Sequence, residues 1–164
     1  MPIIPASCAL ALETALTLCL CSIPPATAGA ATPPGDACSL FTASQVSRVL
    51  GVAVTNGQHP IPSSLLLCAW APAGGAQLDG KKLSVNLMTE RAFEVGKTPA
   101  HGIAKTPVIG VGDDAYYVTD GGRGTGLSVR SGGTYVRIWV GGFPVEKKQK
   151  ELEKALALQM LTKL

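Results

Sequence analysis

Few side chains in this chain could do chemistry, and the pair most ready to react together is a pair of thiols. Of the five cysteines, Cys8, Cys19 and Cys21 lie in an apolar leader, which leaves Cys38 and Cys68. An even pair downstream of such a leader reads as one disulfide formed in an oxidising compartment. As metal ligands the same two residues have no CxxC or HxxxH companion and make half a tetrahedral site at best. A bridge between them closes a loop of about thirty residues, which the loop-entropy relation values at roughly 3.6 kcal/mol. The two histidines, His59 and His101, fall beside loop signals and far from any cysteine or acidic cluster at metal spacing. They read as solvent-exposed.

Asp113, Asp114 and Asp120 are the carboxylates on which an acid–base enzyme could be built. As a cation site, Asp113-Asp114 lacks a third oxygen ligand placed by spacing. Gly110-Val111-Gly112-Asp113-Asp114-Ala115 has the spacing of a dinucleotide fingerprint, but a loop precedes it and a strand follows it, which is the wrong context. Gly121 to Gly126 lacks the Lys-Ser/Thr of a phosphate loop and reads as a hairpin tip. No serine nucleophile elbow is present. The expectation is a protein with no catalytic residues, no cofactor and no metal. An enzyme using the Asp113/Asp114/Asp120 carboxylates is the alternative.

One constellation remains, and strand parity defines it. If Leu83/Val85/Leu87, Leu127/Val129 and Val136/Ile138/Val140 turn toward helices, the other face of the sheet carries what lies between them. That face is expected to show Ser84, Asn86, Tyr117, Thr119, Ser128, Arg130, Tyr135, Arg137 and Trp139. Arginines with aromatics are what binding surfaces favour, so Tyr117, Arg130, Tyr135, Arg137 and Trp139 are the candidate binding face. The plain alternative is a solvated sheet face on which arginine stems lie over aromatic rings for packing alone.

The elements that must hold these residues are legible in outline. Thr42-Ala43-Ser44-Gln45 has the capping-box spacing, Phe41 and Val46 can form its staple, and Gly51 ends that helix. Val52–Val54 suggests a short strand. Leu65–Trp70 and Lys82–Met88 read as strands, the second by its alternation. Thr89 caps a helix over Glu90–Lys97, and 98–108 reads as irregular. Ala115–Thr119, Leu127–Arg130 and Thr134–Val140 follow with short Gly-rich connections, the mark of antiparallel hairpins. Pro144 suits the first turn of a last helix with Leu152, Ala155, Leu156 and Met160 as its apolar stripe, widened by Leu158 and Leu161. The expected class is α+β: an antiparallel sheet of about five to six strands with helices packed on one face.

Residues 1–28 read as a signal peptide. The apolar run Thr14–Ile23 is far shorter than the ~20 residues of a spanning helix, and Ala26-Thr27-Ala28 has the small residues that a signal peptidase reads. Cleavage after Ala30 is nearly as good. Cys19 follows Leu18 and Cys21 follows Leu20, so neither sits in a good lipidation context. Residues 29–36 read as a flexible tether and 37–164 as one domain. The formal net charge is +3, and losing Glu13 with the leader makes it +4. Lys147, Lys148, Lys150 and Lys154 alternate with Glu146, Glu151 and Glu153, the pattern of a solvated helix face. The partner expected is a protein or small ligand in the cell envelope, with no nucleic acid and no stable membrane span after cleavage.

The segment Ala37-Cys38-Ser39-Leu40-Phe41-Thr42-Ala43-Ser44-Gln45-Val46 with Leu50-Gly51 resembles a family of small secreted bacterial domains of unknown function, often lipoproteins, with a PsbP-like α/β sandwich fold. Cys68-Ala69-Trp70, Gly110 to Ala115 and the closing strand and helix continue the resemblance. It implies a Cys38–Cys68 bridge, a sheet with flanking helices and an extracytoplasmic role, and it supplies no catalytic residues. The function expected is a secreted or periplasmic non-catalytic binding domain. A structural factor of the cell envelope is a further alternative.

Overall fold

A computed structural model of the chain describes residues 33–74, 80–121 and 124–164. The leader lies outside the described residues, as do 29–32 of the tether and the centre of the hairpin tip. A short 3-10 turn, Ala37–Leu40, is followed by α1 (Ala43–Leu50), β1 (Leu67–Trp70), β2 (Lys82–Leu87), α2 (Glu90–Lys97), β3 (Ile103–Pro107), β4 (Asp114–Asp120), β5 (Gly124–Ser131), β6 (Thr134–Gly141) and α3 (Glu146–Leu161). The fold is α+β. Its six strands form one antiparallel sheet in the order β1-β2-β6-β5-β4-β3.

Local chemistry accounts for the helix starts. The Gln45 amide nitrogen donates to Thr42 Oγ1 over 3.2 Å, and Gln45 Oε1 accepts from the Thr42 N–H over 2.9 Å. Gly51 ends α1 at φ +70°, a left-handed position that costs other residues more. Thr89 caps α2 through the Ala92 N–H. Pro144 lies just outside α3, and Val145 at the cap offers no side-chain bond.

The period-two alternation of β2 and β6 builds the core. Leu83, Val85 and Leu87 lie opposite Val140, Ile138 and Val136, all buried on the side that carries α1 and α3. Leu127 and Val129 join them from β5. From α3 come Leu152, Leu156, Ala157 and Met160, with Gln149 and Glu153 buried in the same face. Ala155 and Leu158, expected in this stripe, are exposed. The inner face is rotated because it takes in the carboxyl of Glu153.

Four features depart from expectation. Residues Ile103–Pro107 form an edge strand instead of irregular chain; an edge tolerates Pro107 as its last residue. The Val52–Val54 strand shrinks to a single bridge, Val54 to Pro72. The small helix α2 sits on the opposite face from α1 and α3, with Phe93 buried against Tyr116 and Tyr135 at centroid distances of 5.1 and 5.6 Å. Tyr117 and Thr119 lie on the helix side, because β4 pairs Ala115 with Val129 and Tyr117 with Leu127.

Cys38 and Cys68 form a disulfide with Cα atoms 5.1 Å apart. It ties the 3-10 turn to β1, beside the Phe41–Trp70 edge contact at 6.0 Å. Replacing both residues by alanine should lower the unfolding free energy by about 2–4 kcal/mol, read from urea denaturation. An unchanged midpoint would show that packing alone holds the first turn to the sheet.

Candidate functional site

The face of the sheet turned away from α1 and α3 carries a groove. Gly126 of β5 leaves its floor bare beside Trp139, and the backbone of Gly124, whose Cβ would point instead at Gln149 of α3, lines one end. Trp139 and Arg137 of β6 stand on one side, Val118 and Asp120 of β4 on the other, around about 150 Å³ of space. Trp139 lies flat along its own strand. A Cβ at Gly141 would collide with the six-membered ring of the indole, so the bare backbone there is what lets the ring lie down. The Lys82 ammonium sits 5.2 Å from the ring centroid. Glycine in a strand often marks such close approaches.

Charge on this face is unevenly satisfied. Arg130, one of the expected binding residues, belongs to a local network. It lies 3.7 Å from both Asp114 and Glu94, which Lys97 also pairs. Arg137 has no acidic partner among the described residues; its Nε donates to Ser128 Oγ over 3.1 Å. Lys105 of β3 is opposite Val118. Burial lowers its pKa, and the Arg137 guanidinium lowers it further. Arg137 thus lies in the groove wall near enough to Lys105 to be felt there, with Asp120 as the acid on the opposite wall. Tyr135 is half-buried under α2 next to Phe93, and Tyr116 is buried beside it, its hydroxyl donating to the Phe93 carbonyl over 2.8 Å.

Of the five expected face residues, then, Arg137 and Trp139 line the groove. Arg130 and Tyr135 lie on the same face but are engaged at the α2 end. Tyr117 is buried on the opposite face, where its hydroxyl donates to the Lys150 carbonyl over 2.7 Å. Desolvation, with the charge of Glu153 second, pushes its pKa up to about 12.

The alternative carboxylate site does not assemble. Asp113 and Asp114 are at one end of β4 and Asp120 is at the other, about 20 Å of strand away. Asp113 accepts the Gly132 N–H over 2.9 Å. His101 is exposed, as expected. His59 is not. It folds against the disulfide, with Nδ1 2.9 Å from the Leu67 carbonyl and 3.7 Å from Cys38 Sγ, and Nε2 3.4 Å from Asp36. Asp36, Cys38 and His59 lie within 4.8 Å of one another, but Cys38 is spent in the bridge and offers no thiolate. Among the described residues, no helix is long and apolar enough to cross a membrane.

Sequence reasoning missed one polar residue altogether. Glu153 is fully buried between α3 and the sheet, where Oε1 accepts the Val140 N–H over 3.1 Å. Its Oε2 and the hydroxyls of Thr119 and Thr125, buried nearby, have no hydrogen bond among the described residues. Burial pushes its pKa up to about 8; the Val140 N–H, the Lys150 ammonium and the Thr125 hydroxyl act the other way and do not offset it. In its neutral form the carboxyl can offer a proton to the Thr125 hydroxyl.

No family model, no curated protein and no solved structure matches this chain.

Glu153 fixes a pH dependence with a definite sign. Between the ordinary value of 4.5 and about 8, the folded chain holds a proton that the unfolded chain has released. Its contribution is complete below 4.5 and is lost as pH rises toward 8, with a slope of at most about 1.4 kcal/mol per pH unit. Glu153→Gln keeps the acceptor for Val140 and should remove that slope. Denaturation midpoints of both proteins across pH 5–9 check it: parallel curves would place the carboxyl in water.

Proposed function

We propose that this protein is an exported, non-catalytic binding domain that takes an amphipathic anion in the groove on its open sheet face. The observation that carries the reading is Arg137, without a salt-bridge partner among the described residues, standing beside the flat Trp139 indole over the bare backbone of Gly126. Lys105 on the same face, its charged form disfavoured by burial and by the Arg137 guanidinium, adds positive potential that an anion would relieve. The indole of Trp139 offers an apolar surface for the rest of the ligand. The Cys38–Cys68 bridge fits an oxidising compartment and so supports export. The resemblance to small secreted domains supports the same setting. The scattered carboxylates give the enzymatic alternative no shared site.

The fluorescent anion 8-anilinonaphthalene-1-sulfonate is a suitable probe. Arg137→Ala and Trp139→Ala should each weaken its binding by about 2 kcal/mol while moving the melting temperature little. Ile138→Ala, on the other face of the same strand, should do the reverse and cost about 2–4 kcal/mol of stability. Equal binding by all four proteins would remove the groove as the site. Collapse of Trp139→Ala alone would show the indole to be a structural element.

A further inference from the structure

The sheet is not continuous where the groove lies. The β5–β6 ladder ends at Leu127 opposite Ile138, whereas β4–β5 pairing runs on to Asp120–Gly124 and β2–β6 pairing to Lys82–Gly141. Beyond that point the sheet opens into two leaves, and the groove runs along the seam.

Hydrogen-bond alternation identifies the missing bonds. Ser131 and Thr134 flank the two-residue turn Gly132-Gly133, so they close the hairpin as a hydrogen-bonded pair. Every second pair after them has the same character: Val129–Val136, Leu127–Ile138, and next Thr125–Val140. The Val140 N–H therefore points at β5, toward the place where the Thr125 carbonyl would receive it. It bonds instead to Glu153 Oε1, which arrives from α3. A buried carboxyl has replaced a strand carbonyl. The Thr125 hydroxyl and Glu153 Oε2, both buried, lie at the same break, near enough for the hydroxyl to favour the charged carboxylate.

We infer that Glu153 is a positioning residue for the groove: by taking the Val140 N–H it keeps Thr125 from pairing with β6, and so sets how Gly126 lies beside Trp139. Zipping Thr125 to Val140 would draw the glycine segment against β6 and narrow the groove. Three groups tune the wedge. Lys150 of α3 faces it as a cation, Tyr117 of β4 as a neutral phenol, and the Thr125 hydroxyl as a donor that favours the charged carboxylate. The inference rests on the reading of the groove as a binding site for its consequence, though not for its geometry.

The test uses the full chain, Glu153→Gln and Glu153→Leu. The first reading is the NMR correlation carried through the hydrogen bond of the Val140 amide. In the wild type it should run to the Glu153 side-chain carbon, in Glu153→Gln to the carboxamide carbon, and in Glu153→Leu to the Thr125 carbonyl. The second is binding of 8-anilinonaphthalene-1-sulfonate, which should be retained in the glutamine variant and fall about tenfold in the leucine variant. A wild-type correlation to any other carbonyl overturns the wedge, as does a leucine variant that binds the probe as the wild type does. If the leucine variant does not fold, the glutamine variant decides: a lost correlation to the carboxamide with unchanged binding also overturns it. A wild type that ignores the probe, with the correlations switching as stated, sinks the binding reading and leaves the wedge supported.

Discussion

Side-chain alternation along β6 is the constraint on which the rest of the structure depends. Val136, Ile138 and Val140 are fully buried under α1 and α3, so Tyr135, Arg137 and Trp139 have no choice of face. A one-residue slip would put Arg137 in the core and three aliphatic chains in water. Pairing then transmits this choice to β5 and β2 on either side and, through β5, to β4. The groove follows from that parity together with Gly126, which is placed in phase with it. A side chain at Gly126 would rise beside Trp139 and fill the space.

The two sides of the sheet are also coupled through the backbone. Glu153 sits on the helix side, yet the bond it makes is with the strand that carries Trp139 on the other side. A buried carboxyl costs free energy unless it is neutral or well partnered. Here one oxygen has a strong partner and the whole group is held above its ordinary pKa. Purely apolar packing at this point would be the more stable choice for a scaffold. Retaining a carboxyl at the break in the ladder is more readily understood if the break itself is useful.

What could be read in the sequence depended on how local the signal was. The caps of α1 and α2 involve residues three apart, and Thr42, Gln45 and Thr89 announced them. The faces of β2 and β6 were legible because Leu83/Val85/Leu87 and Val136/Ile138/Val140 alternate with polar residues. Strand β4 gave no such signal. Tyr116, Tyr117 and Val118 are adjacent and all apolar in part, and only pairing with Leu127 and Val129 fixes Tyr117 as the inward one. Strand β3 was masked by Pro99 and Pro107, and the start of β5 by its glycines, which line the groove. Glu153 was invisible for another reason. A glutamate among lysines on an amphipathic helix reads as solvated, and only the unpaired Val140 N–H gives it an inward role. His59 likewise depends on the loop that the disulfide closes.

The account stands or falls on which surface of this domain meets a ligand. Mapping backbone amide and indole shifts of the full chain during titration with 8-anilinonaphthalene-1-sulfonate tests that most directly. The account predicts a contiguous set of shifts at Val118, Gly124, Gly126 and Arg137 and at the Trp139 indole N–H, with α1 and α3 silent. Shifts centred instead on the exposed aliphatic residues Ile61, Leu65 and Leu66 would contradict it and leave the open face a solvated surface.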